Sequence, residues 1–358
     1  MSKIETITCT RLTVPLHTPF VTALRSTSTI DTVVVRVTDS DGVTGWGEAP
    51  QVWQVTGESL AGAAACVDGP LSAALTGADA DDLQVLGRAV AAAVVGNFGA
   101  KAAVDVALHD LAARRRGVSL PLFLGSTRHR VPTDVTLPAG TAAGLARGAA
   151  ERVADGFSVL KMKVGTDADT DVARVRAARE AAGDDVLIRL DANQGWTPRE
   201  AVRVIGAIED AGVGVELVEQ PVAAADLDGM AWVTARVGTP VMADESVYGV
   251  RDLTELIRRR AADMVNIKLA KCGGLAVART LLQMADAHQM GTIVGSMMET
   301  HIGVGAAASL AAAYGTSMTS DLDAAWWAAS SPVVGGLWYD GASVMLPEAP
   351  GLGIEGLR

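Results

Sequence analysis

Five polar residues, each closing a short apolar run, recur through the middle of this chain at a nearly fixed interval. Lys163, Asp191, Glu219, Asp244 and Lys268 stand 28, 28, 25 and 24 positions apart. Such an interval holds one strand, one helix and two turns, so the pattern predicts parallel strands joined by helices. "TPREAVRVIGAIEDAG", between the second and third of these residues, reads as one of the helices. Thr197 and Glu200 make a capping box, Pro198 takes the first helical position and Gly212 follows the end. Further runs ending near Met298 and Asp321 extend the series to eight units, from "VPTDVTL" to "TSMTSDLD". The fold predicted is a (β/α)₈ barrel of the α/β class, with the periodic residues at its mouth. A doubly wound open sheet uses the same elements but draws its site from fewer strands.

Upstream the texture differs. "TVVVRVTDSDGVTGWGEAP" has β-rich runs on either side of Asp41-Gly42, a hairpin signal, and residues 57–116 read as helices. The last of these, "AKAAVDVALHDLAARRRG", ends in three arginines and a glycine, as a helix C-terminus should. Residues 1–125 are therefore assigned to an α+β domain, 126–325 to the barrel, and 326–358 to a segment returning to the first domain. With 30 basic against 41 acidic residues the net charge is −11, which repels nucleic acid and anionic membranes. Cys9, Cys66 and Cys272 are too few and too scattered for a disulfide framework, and "MSKIETITCT" has no apolar core of a secretory signal. The apolar stretch "GVGAAASLAAAYG" is well short of a membrane span. A cytoplasmic protein is expected.

"IRLDAN", "ELVEQP" and "VMADES" place Asp191, Glu219 and Asp244 on three consecutive strand ends. Three converging carboxylates raise one another's pKa unless a cation neutralises them. With oxygen ligands and no neighbouring His or Cys, the ion expected is Mg²⁺ before Mn²⁺ or Ca²⁺. The alternative is three unrelated helix N-caps. In "FSVLKMKVG" the strand period puts Val159, Lys161 and Lys163 on one face. Either these lysines blunt an edge strand, or Lys161 keeps Lys163 partly deprotonated by like-charge repulsion, making it a usable base. Lys268, on the sixth strand, faces Lys163 across the mouth. Two bases on opposite sides of a carbon, beside a divalent cation, specify proton abstraction next to a carboxylate.

"KMK", "DANQGW", "EQP", "ADES" and "NIKLAKCGG" resemble, in order and spacing, the barrel motifs of the enolase superfamily in its muconate-lactonizing subgroup. The resemblance spans essentially the whole chain. It implies a capping domain that closes over the barrel mouth together with the C-terminal tail. It also implies one Mg²⁺ on Asp191, Glu219 and Asp244, acid/base roles for Lys163 and Lys268 with Lys161 in support, and a substrate carboxylate on the metal. Asn193, Glu245, Asn266 and Glu299 are expected to brace these groups, and Met298 and Lys161 to touch substrate. "SDLD" puts Asp321 and Asp323 on one face, resembling the pair that holds the α-ammonium in dipeptide epimerases. Arg25 in "TALRST" resembles the arginine that pairs with the glutamate side chain in epimerases of L-Ala-D/L-Glu. The function implied is 1,1-proton transfer at the α-carbon of the C-terminal residue of a dipeptide. N-acylamino acid racemisation, o-succinylbenzoate synthesis and cycloisomerisation stand as alternatives within the subgroup. A barrel that binds a metal and a carboxylate without turnover is the alternative from another class. The partner expected is a small dipeptide, with homo-oligomerisation left open.

Other signals carry less. "GVGAAA" matches G-x-G-x-x-A, but it comes late and leaves the periodic residues without a role; small residues there suit close helix packing. His301 is expected to be a loop histidine satisfied by solvent, and Trp326 and Trp327 to serve packing. Lys163 as a Schiff-base nucleophile, the aldolase alternative, would need no carboxylate triad.

Overall fold

The computed structural model describes residues 2–22 and 26–358. Three antiparallel strands open the chain, β1 (Ile4–Val21), β2 (Ser26–Asp39) and β3 (Thr44–Pro50), hydrogen-bonded in that order. Asp41-Gly42 forms the β2–β3 turn, where Gly42 takes a φ of +81° that side chains resist. Strand alternation divides β2 between two cores: Val33, Val35 and Val37 join the core of the first domain, while Val34 joins that of the barrel. The helix Phe98–Arg115 lies directly on β3. A Cβ at Gly45 or Gly47 would fall 2.0 or 1.8 Å from the carbonyl oxygens of Ala107 and Ala103, so only glycine permits this approach. At the helix end Arg115 pairs with Asp39 at 2.5 Å and Asp81 at 2.9 Å.

β4 (Arg130–Pro132) leads into β5 (Val135–Leu137), β6 (Val159–Lys163), β7 (Leu187–Asp191), β8 (Val215–Glu219), β9 (Val241–Ala243), β10 (Met264–Lys268) and β11 (Gly291–Gly295). From β5 to β11 each strand pairs in parallel with the next. The capping box at Thr197 and Glu200 forms as expected. The eighth strand does not form a ladder. "TSMTSDLD" contributes two isolated bridges, Gly295 with Asp321 and Thr133 with Ser320, which join β11 to the start of the barrel and close the ring. The chain then turns at once into the short helix Ala324–Trp327 and leaves too few extended residues for more.

Inside the ring the strand period stacks layers. Leu217, Met242, Met264 and Ile293 form an apolar plug. Two residues further along, on the same inward face, come Glu219, Asp244, Asn266 and Gly295. Arg189 is 1% exposed and pairs with Asp134 at 3.1 Å and Glu216 at 2.6 Å. After the barrel, β12 (Val333–Gly335), β13 (Trp338–Tyr339), β14 (Ser343–Met345) and β15 (Ile354–Leu357) form two small sheets, one of which includes β4. This tail reaches the capping helix, where Arg114 donates to the Ile354 carbonyl at 2.6 Å. The small residues of "GVGAAA" receive it as well: a Cβ at Gly305 would lie 3.3 Å from Leu352.

His301 departs from expectation. It opens the helix His301–Tyr314, after the connection 296–300 that follows β11, and is 9% exposed. Burial, and Arg358 after it, push its pKa down to about 4. Trp326 and Trp327 pack edge-on against each other, and Trp327 stacks on His17. Among the described residues no helix is long and apolar enough to cross a membrane.

Candidate active site

The strand ends bring the periodic residues to one place. Lys161 and Lys163 close β6, Asp191 closes β7, Glu219 closes β8, Asp244 follows β9 and Lys268 closes β10. Of these, Lys163, Asp244 and Lys268 line a chamber shared with Asn193, Glu245, Met298, Asp321 and Asp323. The three periodic carboxylates cap no helix; the helices that follow them are capped by Thr197, Asp226 and Gly249. Gly295 makes room for the second lysine, since a Cβ there would sit 2.9 Å from Lys268 Cε and 2.5 Å from Asn266 Oδ1.

The carboxylates are buried and turned onto lysines. Lys163 Nζ lies 2.6 Å from Asp191, and Lys268 Nζ lies 2.7 Å from Asp244. Lys161 is 1% exposed and reaches three acids, Glu219 and Asp321 at 2.7 Å and Asp191 at 3.1 Å. Besides Lys163 on its own strand face, Lys161 therefore has three acids as neighbours. Burial opposes its charge, but Asp321, Glu219 and Asp191 outweigh burial and hold its pKa well above the ordinary lysine value. Burial likewise pushes Asp191 up, yet Lys163 and Lys161 together bring it down to about 2. Asp244 is held low against burial by Lys268 and Lys271. Glu219 stays raised, by burial and by Asp191 and Asp244, despite Lys161.

Two buried groups, absent from the expected site, fix this arrangement. Lys271 donates to the Asp244 carbonyl and lies 2.5 Å from its carboxylate, with a further bond to the Asn266 carbonyl at 3.1 Å. Gln220 Oε1 accepts from the Asp244 amide at 2.9 Å and the Ser246 amide at 3.2 Å. Both lie inside motifs already noted, "NIKLAKCGG" and "EQP", but their partners are largely backbone atoms of other strands. Asn266 donates to Glu219 at 2.9 Å, and Asn193 to Glu245 at 3.2 Å. Glu299 lies outside the chamber wall; burial and nearby Glu48 push it up to about 8.

Among the described residues no three Asp, Glu, His or Cys side chains already form a ligand cage, because lysine ammoniums sit between them. The donor chemistry nevertheless fits a hard divalent cation. Asp191, Glu219, Asp244, Glu245, Asp321 and Asp323 outnumber Lys161, Lys163, Lys268 and Lys271 by two carboxyls. Asn193 Oδ1, Glu245 Oε2 and Asn266 Oδ1 are buried acceptors without a hydrogen-bond donor. Burial, with Asp244 and Asp191 nearby, pushes Glu245 up to about 8.

Across the chamber, Asp321 accepts from Lys161, while Asp323 Oδ2 accepts from the Thr136 amide at 2.7 Å and Trp327 Nε1 at 2.9 Å. Lys161, beyond burial, holds Asp321 low; burial and the Asp321 charge push Asp323 up. A second cation placed between them would relieve that conflict. Phe20, Val52, Val55 and Met297 supply apolar wall. Arg25 lies outside the described residues.

Residues 3–125 match the family described as mandelate racemase / muconate lactonizing enzyme, N-terminal domain, and residues 144–357 match enolase C-terminal domain-like. The L-Ala-D/L-Glu epimerase of Bacillus subtilis (strain 168) is 42% identical, over 99% of this chain and 97% of that protein. The solved substrate-liganded complex of the B. subtilis epimerase superimposes with a TM-score of 0.96, covering 99% of each chain at 42% identity. The dipeptide epimerase from Enterococcus faecalis V583, complexed with Mg and the dipeptide L-Leu-L-Tyr, gives 0.94 at 38% identity, covering 98% of this chain and 99% of that one. This chain belongs to the enolase superfamily, in its mandelate racemase/muconate lactonizing enzyme family.

Proposed function

We propose that this chain is a Mg²⁺-dependent dipeptide epimerase that inverts the α-carbon of the C-terminal residue, with L-Ala-D/L-Glu as its substrate. The observation that carries the reading is the pair Lys163 and Lys268, brought by strands β6 and β10 to opposite walls of one chamber. Asp191, Glu219 and Asp244 are the ligands assigned to the cation, which when bound takes up their charge, holds the substrate carboxylate and so acidifies the neighbouring C–H. Lys163 removes the α-proton from the L isomer and Lys268 returns one from the other face; the reverse reaction exchanges their roles. Lys161, already poised between Glu219 and Asp321, steadies the carboxylate end of the substrate. Asp321 and Asp323 hold the substrate ammonium, the cation their mutual repulsion calls for. Asn193, Glu245 and Asn266 keep the ligands in place.

The glutamate preference is supported by the B. subtilis relative's activity and assigned to Arg25; the E. faecalis relative is complexed with L-Leu-L-Tyr, a dipeptide without an acidic side chain. A cytoplasmic setting fits three cysteines that are all free thiols. Incubating a dipeptide library in D₂O and reading both isotope and configuration tests the reading. Deuterium at the C-terminal α-carbon with formation of the diastereomer is expected, and Ala-Glu should lead the ranking. Conversion confined to N-acylated amino acids would move the chain to the racemases, and no exchange in any substrate would leave a binding barrel.

A further inference from the structure

The chamber encloses only about 70 Å³, well below the roughly 300 Å³ at which small-molecule pockets begin. A dipeptide therefore enters only when part of the wall moves. On the capping-domain side that wall is built from Phe20 and Thr22 at the end of β1 and from the loop 51–57, which supplies Val52, Gln54 and Val55. The loop is wound on itself, with the amides of Val55, Thr56 and Gly57 all donating to the Val52 carbonyl at 3.0 to 3.2 Å. Towards the barrel, Val52 and Val55 rest on Ala270 and Met297, a contact too small and non-directional to fix the loop's height.

One directional contact is available. The hydroxyl of Tyr248 donates to the Val55 carbonyl, and among the described residues this is the hydrogen bond that joins the loop to the barrel. Tyr248 follows Asp244 by four positions, so its backbone belongs to the segment that carries the acid. Its ring is bedded against Phe98, with centroids 6.2 Å apart, and Lys271 Nζ stands 5.9 Å over it. Lys271 in turn grips the Asp244 carbonyl and carboxylate. The hydroxyl thus projects from a rigid base to the one backbone oxygen midway along the loop.

We infer that Tyr248 is a positioning residue: its hydroxyl pins the 51–57 loop down over the chamber and sets how readily the loop lifts to admit substrate. The inference rests on the chamber being the substrate site. It assigns Tyr248 no contact with the reacting atoms.

Tyr248→Phe removes the hydroxyl and keeps the ring in its bed. Loss of one hydrogen bond, at its usual net worth, should speed hydrogen–deuterium exchange of the Val55, Thr56 and Gly57 amides about three- to tenfold. Exchange in the helix Phe98–Arg115 should not change, which also certifies the fold. Entry and release of the dipeptide, both gated by the loop, should quicken by up to about the same factor in stopped-flow binding, with kcat within about twofold. Tyr248→Leu should match Tyr248→Phe in loop exchange, since the pin is the hydroxyl. If only Tyr248→Leu speeds exchange, ring packing holds the loop and the inference is overturned; unchanged exchange in both variants overturns it as well. Exchange is measured without substrate, so faster loop exchange in a protein that epimerises no dipeptide would remove the epimerase reading and leave the pin standing.

Discussion

The two domains both have apolar cores but differ in the largest side chains that they bury. The interior of the capping domain is built from Val33, Val35, Val37, Leu71, Leu75, Leu108 and Leu111, none more than 1% exposed. Among the described residues the three largest fully buried side chains are in the barrel: Arg189, Lys161 and Lys271. Burying an aliphatic side chain stabilises by about 1.5 to 3 kcal/mol, whereas a buried ion costs several kcal/mol before its partners offset it. The capping domain is therefore organised for stability, and the barrel mouth for charge that water cannot screen.

This contrast predicts effects of different kind and size. The largest belong to the mouth. Asp191→Asn, Glu219→Gln and Asp244→Asn should each lower kcat/KM by at least about 10³-fold, over 4 kcal/mol at 1.36 per decade, and weaken Mg²⁺ binding measured by calorimetry. Thorough chelation of the wild type should do the same. Full activity in a chelated sample would restore the aldolase alternative, which borohydride trapping on Lys163 would then decide. Next comes Asp321→Asn, which should cost free dipeptides roughly 2 to 5 kcal/mol, about 30-fold to several thousand-fold in kcat/KM, and spare an N-acylated analogue. Equal losses on both substrates would place Asp321 in service of Lys161 alone.

In the capping core the sign of the experiment reverses. Val35→Ala should lower unfolding free energy by about 2 kcal/mol in denaturant titrations while kcat stays unchanged. A drop in kcat would mean that the two interiors are not separable.

The smallest effect concerns a half-buried carboxyl of the capping domain. Burial pushes Glu58 up to about 7, its Oε2 accepting from the Gly99 amide while Oε1 lacks a partner. A carboxyl raised above its unfolded value of 4.5 contributes stability below about pH 4.5, and that contribution is lost as pH rises through about 7. Glu58 is partly exposed, so the difference is on the order of 1 kcal/mol. Glu58→Gln should match the wild type near pH 4 and exceed it in stability at pH 8. A constant gap across that range would mean that folding leaves the Glu58 pKa unshifted.

Much of the site was legible because its residues repeat with the strand–helix unit. The interval alone located Lys163, Asp191, Glu219, Asp244 and Lys268, since a strand end is a local position that side-chain periodicity reveals. What the interval hides is who faces whom. Lys-x-Lys announces two neighbouring charges, but the acids that claim Lys161 come from β7, β8 and residue 321, up to 160 positions away. Lys271 and Gln220 escaped notice for a related reason: they hold the backbone around Asp244, and a sequence does not display which carbonyl or amide lacks a partner. The eighth strand reads like the others but is cut short by the turn at residue 324. His301 was misplaced because nothing in "METH" says that the helix begins at its histidine.

The account's central claim is that two lysines serve opposite faces of one carbon, and stereospecific exchange tests it most directly. Lys163→Ala and Lys268→Ala are each incubated in D₂O with the L,L and the L,D form of the preferred dipeptide, following α-deuterium by NMR. Neither variant should epimerise. Lys268→Ala should exchange the α-proton of the L,L form alone, and Lys163→Ala that of the L,D form alone. Epimerisation at the wild-type rate by either variant, or exchange of both isomers by one of them, would contradict the two-base mechanism.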